Sequence, residues 1–189
     1  MRIIGGKNKG KKINISNDNK TRPLRDLVKE SIFNLVEHSN KFKTSILNSN
    51  VLDLFSGTGS FGLECYSRGA KFVTFVENYS KALKILKKNL IVLNATKSSK
   101  IIEENCFEYL SLDRNYNDKF DIIFLDPPYK DKNFNKILIN INNFKVLGKN
   151  GIIILHRHKN DNYIFPPNFK IFEEKNYGIS KIIYFTCID

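Results

Sequence analysis

The segment Asp126–Tyr129, Asp-Pro-Pro-Tyr, carries the residue types in this 189-residue chain that are best suited to chemistry. It directly follows the apolar run 120–125, whose β-branched and aromatic residues predict a strand buried on both faces. Because prolines cannot continue a hydrogen-bond ladder, the chain must leave the sheet here. A carboxylate, a rigid carbonyl and an aromatic ring are therefore expected at the carboxyl end of a strand, where open α/β sheets bind ligands.

This segment suits the transfer of a group to the exocyclic amine of a flat base. Such a nitrogen is a poor nucleophile because its lone pair is delocalised into the ring. Donation of its N–H groups to the Asp126 carboxylate and the Pro127 carbonyl would favour a pyramidal nitrogen. Stacking of Tyr129 on the base would be worth about 1–3 kcal/mol. The alternative interpretation of the segment is a turn that only ends the strand. The candidate catalytic residues are Asp126, Pro127, Pro128 and Tyr129.

A glycine turn, Gly57-Thr-Gly-Ser-Phe-Gly62, lies between a predicted strand and a predicted helix. This spacing, with Glu77 at the end of the next strand, matches the dinucleotide fingerprint, so a dehydrogenase has to be considered. Asp53 argues against it, because a carboxylate beside the turn would repel a pyrophosphate. A donor that carries an ammonium and a sulfonium would be attracted, so the turn favours S-adenosylmethionine.

The candidates for binding this donor come from three strand ends. The glycines would admit its methionine part and Glu77 would hold its ribose. An amide such as that of Asn105 could accept a hydrogen bond from the adenine amino group, with Cys106 and Phe107 against the ring. The candidate cofactor-binding residues are Asp53, Phe55, Gly57, Gly59, Glu77, Asn105 and Cys106.

The elements that must position these residues alternate between strand and helix from residue 50 onward. This alternation predicts a parallel sheet covered on both faces, and two final strands would add an antiparallel hairpin. The predicted strands are 51–55, 72–76, 100–102, 120–125, 151–155, 169–173 and 179–187, and the predicted helices are 60–68, 80–94, 107–110 and 133–144.

Positive charge is concentrated in the first quarter of the chain. Residues 1–45 hold a net charge of +7, out of +12 for the whole chain. Such an excess suits a polyanion such as nucleic acid, although a lysine-rich composition alone could also produce it. A predicted hairpin over residues 1–20 carries Lys7 and Lys9 near its tip, and an amphipathic helix is predicted from 24 to 38. We expect a basic RNA-contacting extension, 1–45, and a catalytic domain, 46–189.

Cysteine spacing and the lengths of the apolar runs indicate where in the cell the protein is located. Cys65, Cys106 and Cys187 have neither metal-ligand spacing nor a disulfide pattern, which indicates buried thiols in a reducing cytoplasm and no metal site. No run reaches the roughly 18 apolar residues of a membrane span. The chain start lacks the apolar core of a signal peptide. We expect a cytoplasmic monomer with no membrane partner.

Several segments together resemble one family along nearly the whole chain. The matching segments are 1–7, 21–23 followed by 29–34, 51–59, 67–70 and 124–129. They are similar to the RsmD-type 16S rRNA guanine-N2 methyltransferases. The resemblance implies a seven-stranded class I S-adenosylmethionine-dependent methyltransferase fold, and methyl transfer from that donor to the exocyclic N2 amine of a guanine. The implied partner is the 16S rRNA of the 30S subunit.

The resemblance also assigns residues by position. It implies that Asp53, Gly57, Gly59, Glu77 and Asn105 bind the donor, that Asp126–Tyr129 bind the base, and that Arg2, Gly5, Gly6, Arg22 and Pro23 grip RNA. The chain departs from the family pattern at Leu24, Arg25 and Leu27. It departs again at 156–158, His-Arg-His, where the family often has an acid. These three residues could touch phosphate or base. The favoured interpretation is that they are exposed and have no functional role.

Two other functions stay open on the residues alone. Asp-Pro-Pro-Tyr also serves DNA adenine or cytosine amino-methyltransferases, although a separate DNA-reading domain is not recognisable in the sequence. A non-catalytic RNA-binding ribosome-assembly factor could keep the same fold. The complete set of Asp53, Glu77 and Asp126 argues against the loss of catalysis.

Overall fold

A seven-stranded sheet forms the centre of the computed structural model, which describes residues 1–16, 24–111, 116, 119–128, 134–161 and 164–188. The strand order is β3-β2-β1-β4-β5-β7-β6, in which the first five are parallel and β7 runs antiparallel to both of its neighbours. The predicted parallel sheet with an antiparallel closing hairpin is confirmed. The strands are β1 Asn50–Leu54, β2 Phe72–Val76, β3 Ser99–Ile102, β4 Phe120–Leu125, β5 Leu147–His158, β6 Phe169–Tyr177 and β7 Ser180–Cys187.

Helices cover both faces of the sheet. The α-helices are α1 Asp26–His38, α2 Ser60–Ser67, α3 Ser80–Val92, α4 Cys106–Ser111 and α5 Phe134–Asn143, and short 3₁₀ turns occupy Gly6–Asn8 and Thr96–Ser98. Apolar residues of α1, α2 and α3 pack on one face, and those of α4 and α5 pack on the other. The central strands are therefore buried on both sides, as their continuous apolar runs predict.

Strand β5 is longer than the predicted 151–155. Leu147 already pairs with Phe120, and the regular register resumes where Ile152 pairs with Ile122. The intervening Gly148–Gly151 form a bulge in β5. Its two glycines resemble a loop in the sequence, which explains why the early pairing was missed.

The first thirteen residues fold back on themselves beside α2. The amide of Ile3 donates to the Lys11 carbonyl at 2.9 Å, and that of Ile13 donates to the Met1 carbonyl at 2.9 Å. The predicted hairpin is thus confirmed in outline, with a single antiparallel bridge in place of two strands. A Cβ atom on Gly6 would lie 1.9 Å from the Ser67 carbonyl oxygen, so this glycine allows close packing on α2.

A buried network of charges joins this N-terminal segment to the body. Lys29 on α1 is fully buried, donates to the Arg2 carbonyl at 2.7 Å and lies 3.8 Å from Glu64 of α2. Glu64, also fully buried, accepts from the Ile4 amide and from Nε of Arg68, each at 2.9 Å. Burial lowers the pKa of Lys29, whereas the Glu64 carboxylate opposes that shift.

The domain boundary near residue 45 stays a prediction, and the contacts across it are extensive.

Glu64→Ala is expected to destabilise the fold strongly. The substitution leaves Asp26, 3.5 Å away, as the remaining carboxylate beside the buried Lys29 ammonium, and it removes the acceptor for the Ile4 amide and for Arg68 Nε. We therefore expect a loss of about 3 kcal/mol in the free energy of unfolding. Urea unfolding followed by circular dichroism measures it. Glu30→Ala, on the exposed side of α1, is the matched control and should change stability by no more than about 0.5 kcal/mol. Equal effects of the two substitutions would contradict the network's importance.

Candidate active site

Three carboxylates lie at the carboxyl ends of neighbouring parallel strands. Asp53 is the second-to-last residue of β1, Glu77 follows β2 and Asp126 follows β4. The register pairs Leu54 with Val76 on one side and with Leu125 on the other, so the three groups meet at one edge. The predicted convergence at this edge is observed.

Asp53 is the most buried of the three carboxylates, with 1% of its surface exposed. Its Oδ2 accepts a hydrogen bond from the Gly62 amide at 2.9 Å, which ties the first turn of α2 to β1. Burial raises the pKa of Asp53 from 3.8 to about 8; the Gly62 hydrogen bond opposes the shift, and the negative charges of Asp126 and Glu77 add to it. A positive charge bound nearby would favour the ionised form of Asp53, so the site favours a cationic ligand.

The glycine turn leaves room beside these carboxylates. Gly57 and Gly59 both have positive φ, +55° and +86°, which side chains other than glycine rarely adopt. A Cβ atom on Gly57 would meet no heavy atom within 4 Å, whereas one on Gly59 would lie 2.5 Å from Cδ1 of Leu86. Gly57 thus faces open space and Gly59 allows α3 to pack closely.

Glu77 bridges this turn and the start of α3. Its Oε2 accepts from the Gly57 amide at 2.8 Å, and its Oε1 accepts from the amides of Asn78 and Tyr79 at 2.9 and 2.7 Å. A carboxylate offers about four acceptor positions, so one remains beyond these contacts within the described part of the chain. That position could serve a hydroxyl group of a ribose.

Aromatic and sulfur groups line the other side of the turn. Phe55 has a positive φ of 60°, its amide donates to Cys106 Sγ at 3.2 Å, and its ring lies edge-on to Phe107 at 6.2 Å. Burial raises the pKa of the Cys106 thiol, so the group is neutral. Asn105 Oδ1 accepts from the Phe107 amide at 2.8 Å and caps α4. The predicted cofactor residues are thus brought together, and their individual roles stay predictions.

The acceptor corner lies at the end of β4. The Asp126 side chain is 23% exposed, Pro127 is buried and Pro128 is exposed. Asp126 Oδ1 lies 2.9 Å from His156 Nδ1, and the Pro128 carbonyl accepts from Arg157 Nη1 at 3.2 Å. Tyr129 falls outside the described residues, so its predicted stacking role stays a prediction.

The expectation that His156 and Arg157 are exposed is wrong. They are 8% and 5% exposed, and both contact the acceptor corner. Leu155 pairs with Leu125, so His156 and Arg157, the next residues of β5, must adjoin the residues that follow β4. The signal in the sequence was that 156–158 follow the predicted strand 151–155 as Asp126 follows 120–125, but the adjacency of these strands is not readable from the sequence.

The basic residues predicted to grip RNA lie on the surface of the N-terminal segment. Arg2, Lys7 and Lys9 are exposed, and Lys7 Nζ lies 3.7 Å from the centre of the Tyr66 ring near the carboxyl end of α2. The amino end of that helix also contacts the N-terminal segment, since Ser60 Oγ donates to Met1 Sδ at 3.4 Å. Arg22 and Pro23 lie outside the described residues.

None of the helices in the described ranges has the length and apolar character to cross a bilayer. Clusters of three or more His, Cys, Asp or Glu residues that could hold a metal ion are also absent from the same part of the chain.

Asp53→Asn tests the consequence of the buried carboxyl group. Because the folded pKa of about 8 exceeds the ordinary 3.8, the folded protein binds more protons between these pH values, and stability falls as pH rises through this window. The slope from this group is at most about 1.4 kcal/mol per pH unit. Asp53→Asn, which keeps an oxygen for the Gly62 amide, should remove that slope. Urea unfolding across the window measures it, and equal slopes for both proteins would contradict the assignment.

Comparisons with known proteins agree with this geometry. A family model described as "Conserved hypothetical protein 95" matches residues 1–186. The protein named ribosomal RNA small subunit methyltransferase D from Buchnera aphidicola (subspecies Acyrthosiphon pisum) is 36% identical, covering 92% of this chain and 86% of that protein. Its namesake from Haemophilus influenzae is 33% identical, covering 95% and 90%.

Solved structures share the fold over the whole chain. The Escherichia coli protein yhhF superposes with a TM-score of 0.84 at 25% identity, covering 100% of this chain and 98% of that one. A Haemophilus influenzae protein superposes with a TM-score of 0.78 at 30% identity, with the same coverage. The predicted class I S-adenosylmethionine-dependent methyltransferase fold is confirmed. On the family model and these relatives, the chain belongs to the ribosomal RNA small subunit methyltransferase D family.

Proposed function

We propose that the protein transfers a methyl group from S-adenosylmethionine to the exocyclic N2 amine of a guanine in small-subunit ribosomal RNA. The observation that carries this proposal is the position of Asp126, which follows β4 directly beside the Asp53–Gly59 turn that follows β1. A donor at the turn and an amine at Asp126 would be neighbours. Membership of the family supports rRNA as the acceptor, and the sequence resemblance supports the N2 amine of guanine.

The residues at the turn fit this donor. When bound, S-adenosylmethionine supplies an electrophilic methyl group on a sulfonium. Asp53 and Glu77 place two carboxylates beside the turn, which suits a cation and disfavours a pyrophosphate. Gly57 faces open space and Glu77 keeps an acceptor position for a ribose hydroxyl. Phe55 and Cys106 offer an apolar wall for a flat ring.

At the acceptor corner, Asp126 and the Pro127 carbonyl hold the amine by accepting its two N–H groups. This arrangement turns the nitrogen lone pair toward the methyl group and leaves the Asp126 carboxylate able to accept the proton that nitrogen loses after transfer. The reaction needs no covalent bond to the protein, so most of the acceleration comes from position, an effect that can supply about 7–11 kcal/mol. Tyr129 is assigned to stack on the base from the sequence motif.

The N-terminal segment supplies the contact to RNA. Its exposed Arg2, Lys7 and Lys9 can neutralise phosphates, and the first 45 residues hold a net charge of +7. Arg22 and Pro23 are assigned to the same surface by the family resemblance. The 16S rRNA of the 30S subunit is the proposed partner of a monomeric cytoplasmic enzyme.

The substrate is tested by offering three acceptors in parallel. Purified protein is incubated with S-adenosylmethionine labelled in its methyl group and with 30S subunits that lack the modification, naked 16S rRNA or duplex DNA. We expect label in N2-methylguanine from RNA, because the family and the basic N-terminal surface both favour rRNA. Label only in DNA would contradict the proposal, and tight RNA binding without label would indicate an assembly factor.

Asp126→Ala separates methyl transfer from donor binding. Removing the carboxylate takes away an acceptor that is aimed at the reacting amine, so kcat should fall by about 100-fold or more. The dissociation constant for S-adenosylmethionine, measured by calorimetry, should change by less than about threefold, because Asp126 holds the acceptor. Asp121→Asn is the matched control, since Asp121 lies at the amino end of the same strand and accepts from the Asn50 amide. Loss of donor binding in Asp126→Ala would assign this residue to the donor.

A further inference from the structure

The segment 126–128 lies just beyond β4 with few backbone hydrogen bonds available to hold it. Pro127 and Pro128 have no N–H group, so neither residue can donate to a ladder. Its geometry must therefore be fixed by side chains from neighbouring elements. In the structure these side chains come from β5, which is the parallel neighbour of β4.

His156 contacts the Asp126 carboxylate from one face of the sheet. Its Nδ1 lies 2.9 Å from Asp126 Oδ1, and its Nε2 lies 2.9 Å from Ser180 Oγ on β7. An ionised carboxylate can only accept, so Nδ1 is the donor in the first contact. The Ser180 hydroxyl can donate or accept, and it therefore suits both the neutral and the protonated imidazole. The ring is held at both nitrogens, and this fixes the Asp126 carboxylate in turn.

Arg157 contacts the other end of the segment from the opposite face. Successive residues of a strand point to opposite faces, so Arg157 lies on the α5 side of the sheet. Its Nη1 donates to the Pro128 carbonyl at 3.2 Å, and its Nε lies 2.8 Å from the Asp161 carboxylate. The guanidinium is 5.9 Å from the centre of the Phe134 ring at the start of α5. A buried, planar and paired group of this kind holds a carbonyl in a defined direction.

We propose that His156 and Arg157 are positioning residues for methyl transfer. His156 orients the Asp126 carboxylate and Arg157 orients the Pro128 carbonyl, so the segment between them reaches the substrate amine in a fixed geometry. Neither side chain touches the reacting atoms. The inference rests on the proposed function, because it assigns Asp126 and the Pro127 carbonyl to the acceptor amine.

Steady-state kinetics test this inference on the full-length protein. His156→Ala and Arg157→Ala should each lower kcat by about 10- to 100-fold, the range that a misplacement of about 1 Å produces. The KM values for S-adenosylmethionine and for rRNA should stay within about twofold, because neither side chain is assigned to their binding. His156→Asn, whose amide N–H can replace Nδ1, should recover most of kcat. Arg157→Lys should recover less, because lysine lacks the planar fork.

His158→Ala is the matched control. His158 lies on the same strand, is half-buried, and its Nδ1 accepts from the Asn160 amide at 3.2 Å. Its kcat should equal that of the wild type. A proportional loss of kcat in all three alanine variants would show general damage to β5 and would overturn the proposal. Variants that fail to fold, as judged by thermal melting, are replaced in the comparison by His156→Asn and Arg157→Lys.

A double-mutant cycle tests whether His156 acts through Asp126. In an Asp126→Ala background, His156→Ala should lower kcat by less than about twofold, because the acceptor that it orients has gone. An equal loss in both backgrounds would overturn the assignment. Nitrogen NMR of labelled histidine gives a readout that does not need an rRNA substrate. We expect Nδ1 of His156 to carry the proton and its signal to shift in Asp126→Ala but not in Asp121→Asn.

These measurements keep the two proposals separate. Wild-type protein without methyl transfer to any RNA would contradict the proposed function, and the NMR result would then decide the His156–Asp126 contact by itself. Wild-type activity that is unchanged by His156→Ala and Arg157→Ala would overturn only the positioning roles.

Discussion

The parallel register of three strands determines what can happen at this site. Pairing of β4 with β1 and with β5 places Leu125 between Leu54 and Leu155, and the residues after those three positions meet at one edge. Because side chains alternate along a strand, a slip of one residue would send Asp126 to the other face of the sheet. The apolar clusters on both faces oppose such a slip, so the core packing itself fixes the distance between the glycine turn and the acceptor corner.

The protein buries charge in two different ways. Around Lys29 and Glu64 the buried charges compensate one another, and the network joins the N-terminal segment to α1 and α2. Around Asp53 three carboxylates converge, and the pKa of Asp53 is raised to about 8, with burial as the largest cause. Strongly shifted pKa values of this kind are common at functional sites. The first cluster stabilises the packing of the N-terminal segment, whereas the second suits the binding of a cation.

The sequence predicts the sheet well because the central strands carry continuous apolar runs and the longer helices periodic ones. Asp53, Gly57, Glu77 and Asp126 were also placed at the correct edge, since Asp53 lies near the end of a predicted strand and the other three follow predicted strands. The positions of His156 and Arg157 were missed, because burial at the end of β5 depends on which strands lie beside it. The close packing of Gly6 against Ser67 was not predicted, because it joins segments that are far apart in the sequence.

The choice of base cannot come from Asp126 and its prolines. A carboxylate and a carbonyl accept N–H groups from the exocyclic amine of guanine, adenine or cytosine alike. Discrimination must therefore depend on how the rest of the nucleic acid is held. The exposed Lys7 lies near the carboxyl end of α2, and this helix of eight residues is about 12 Å long. An RNA that engages both Lys7 and Asp126 must span at least the length of this helix, which favours an RNA chain over a free nucleotide as the substrate.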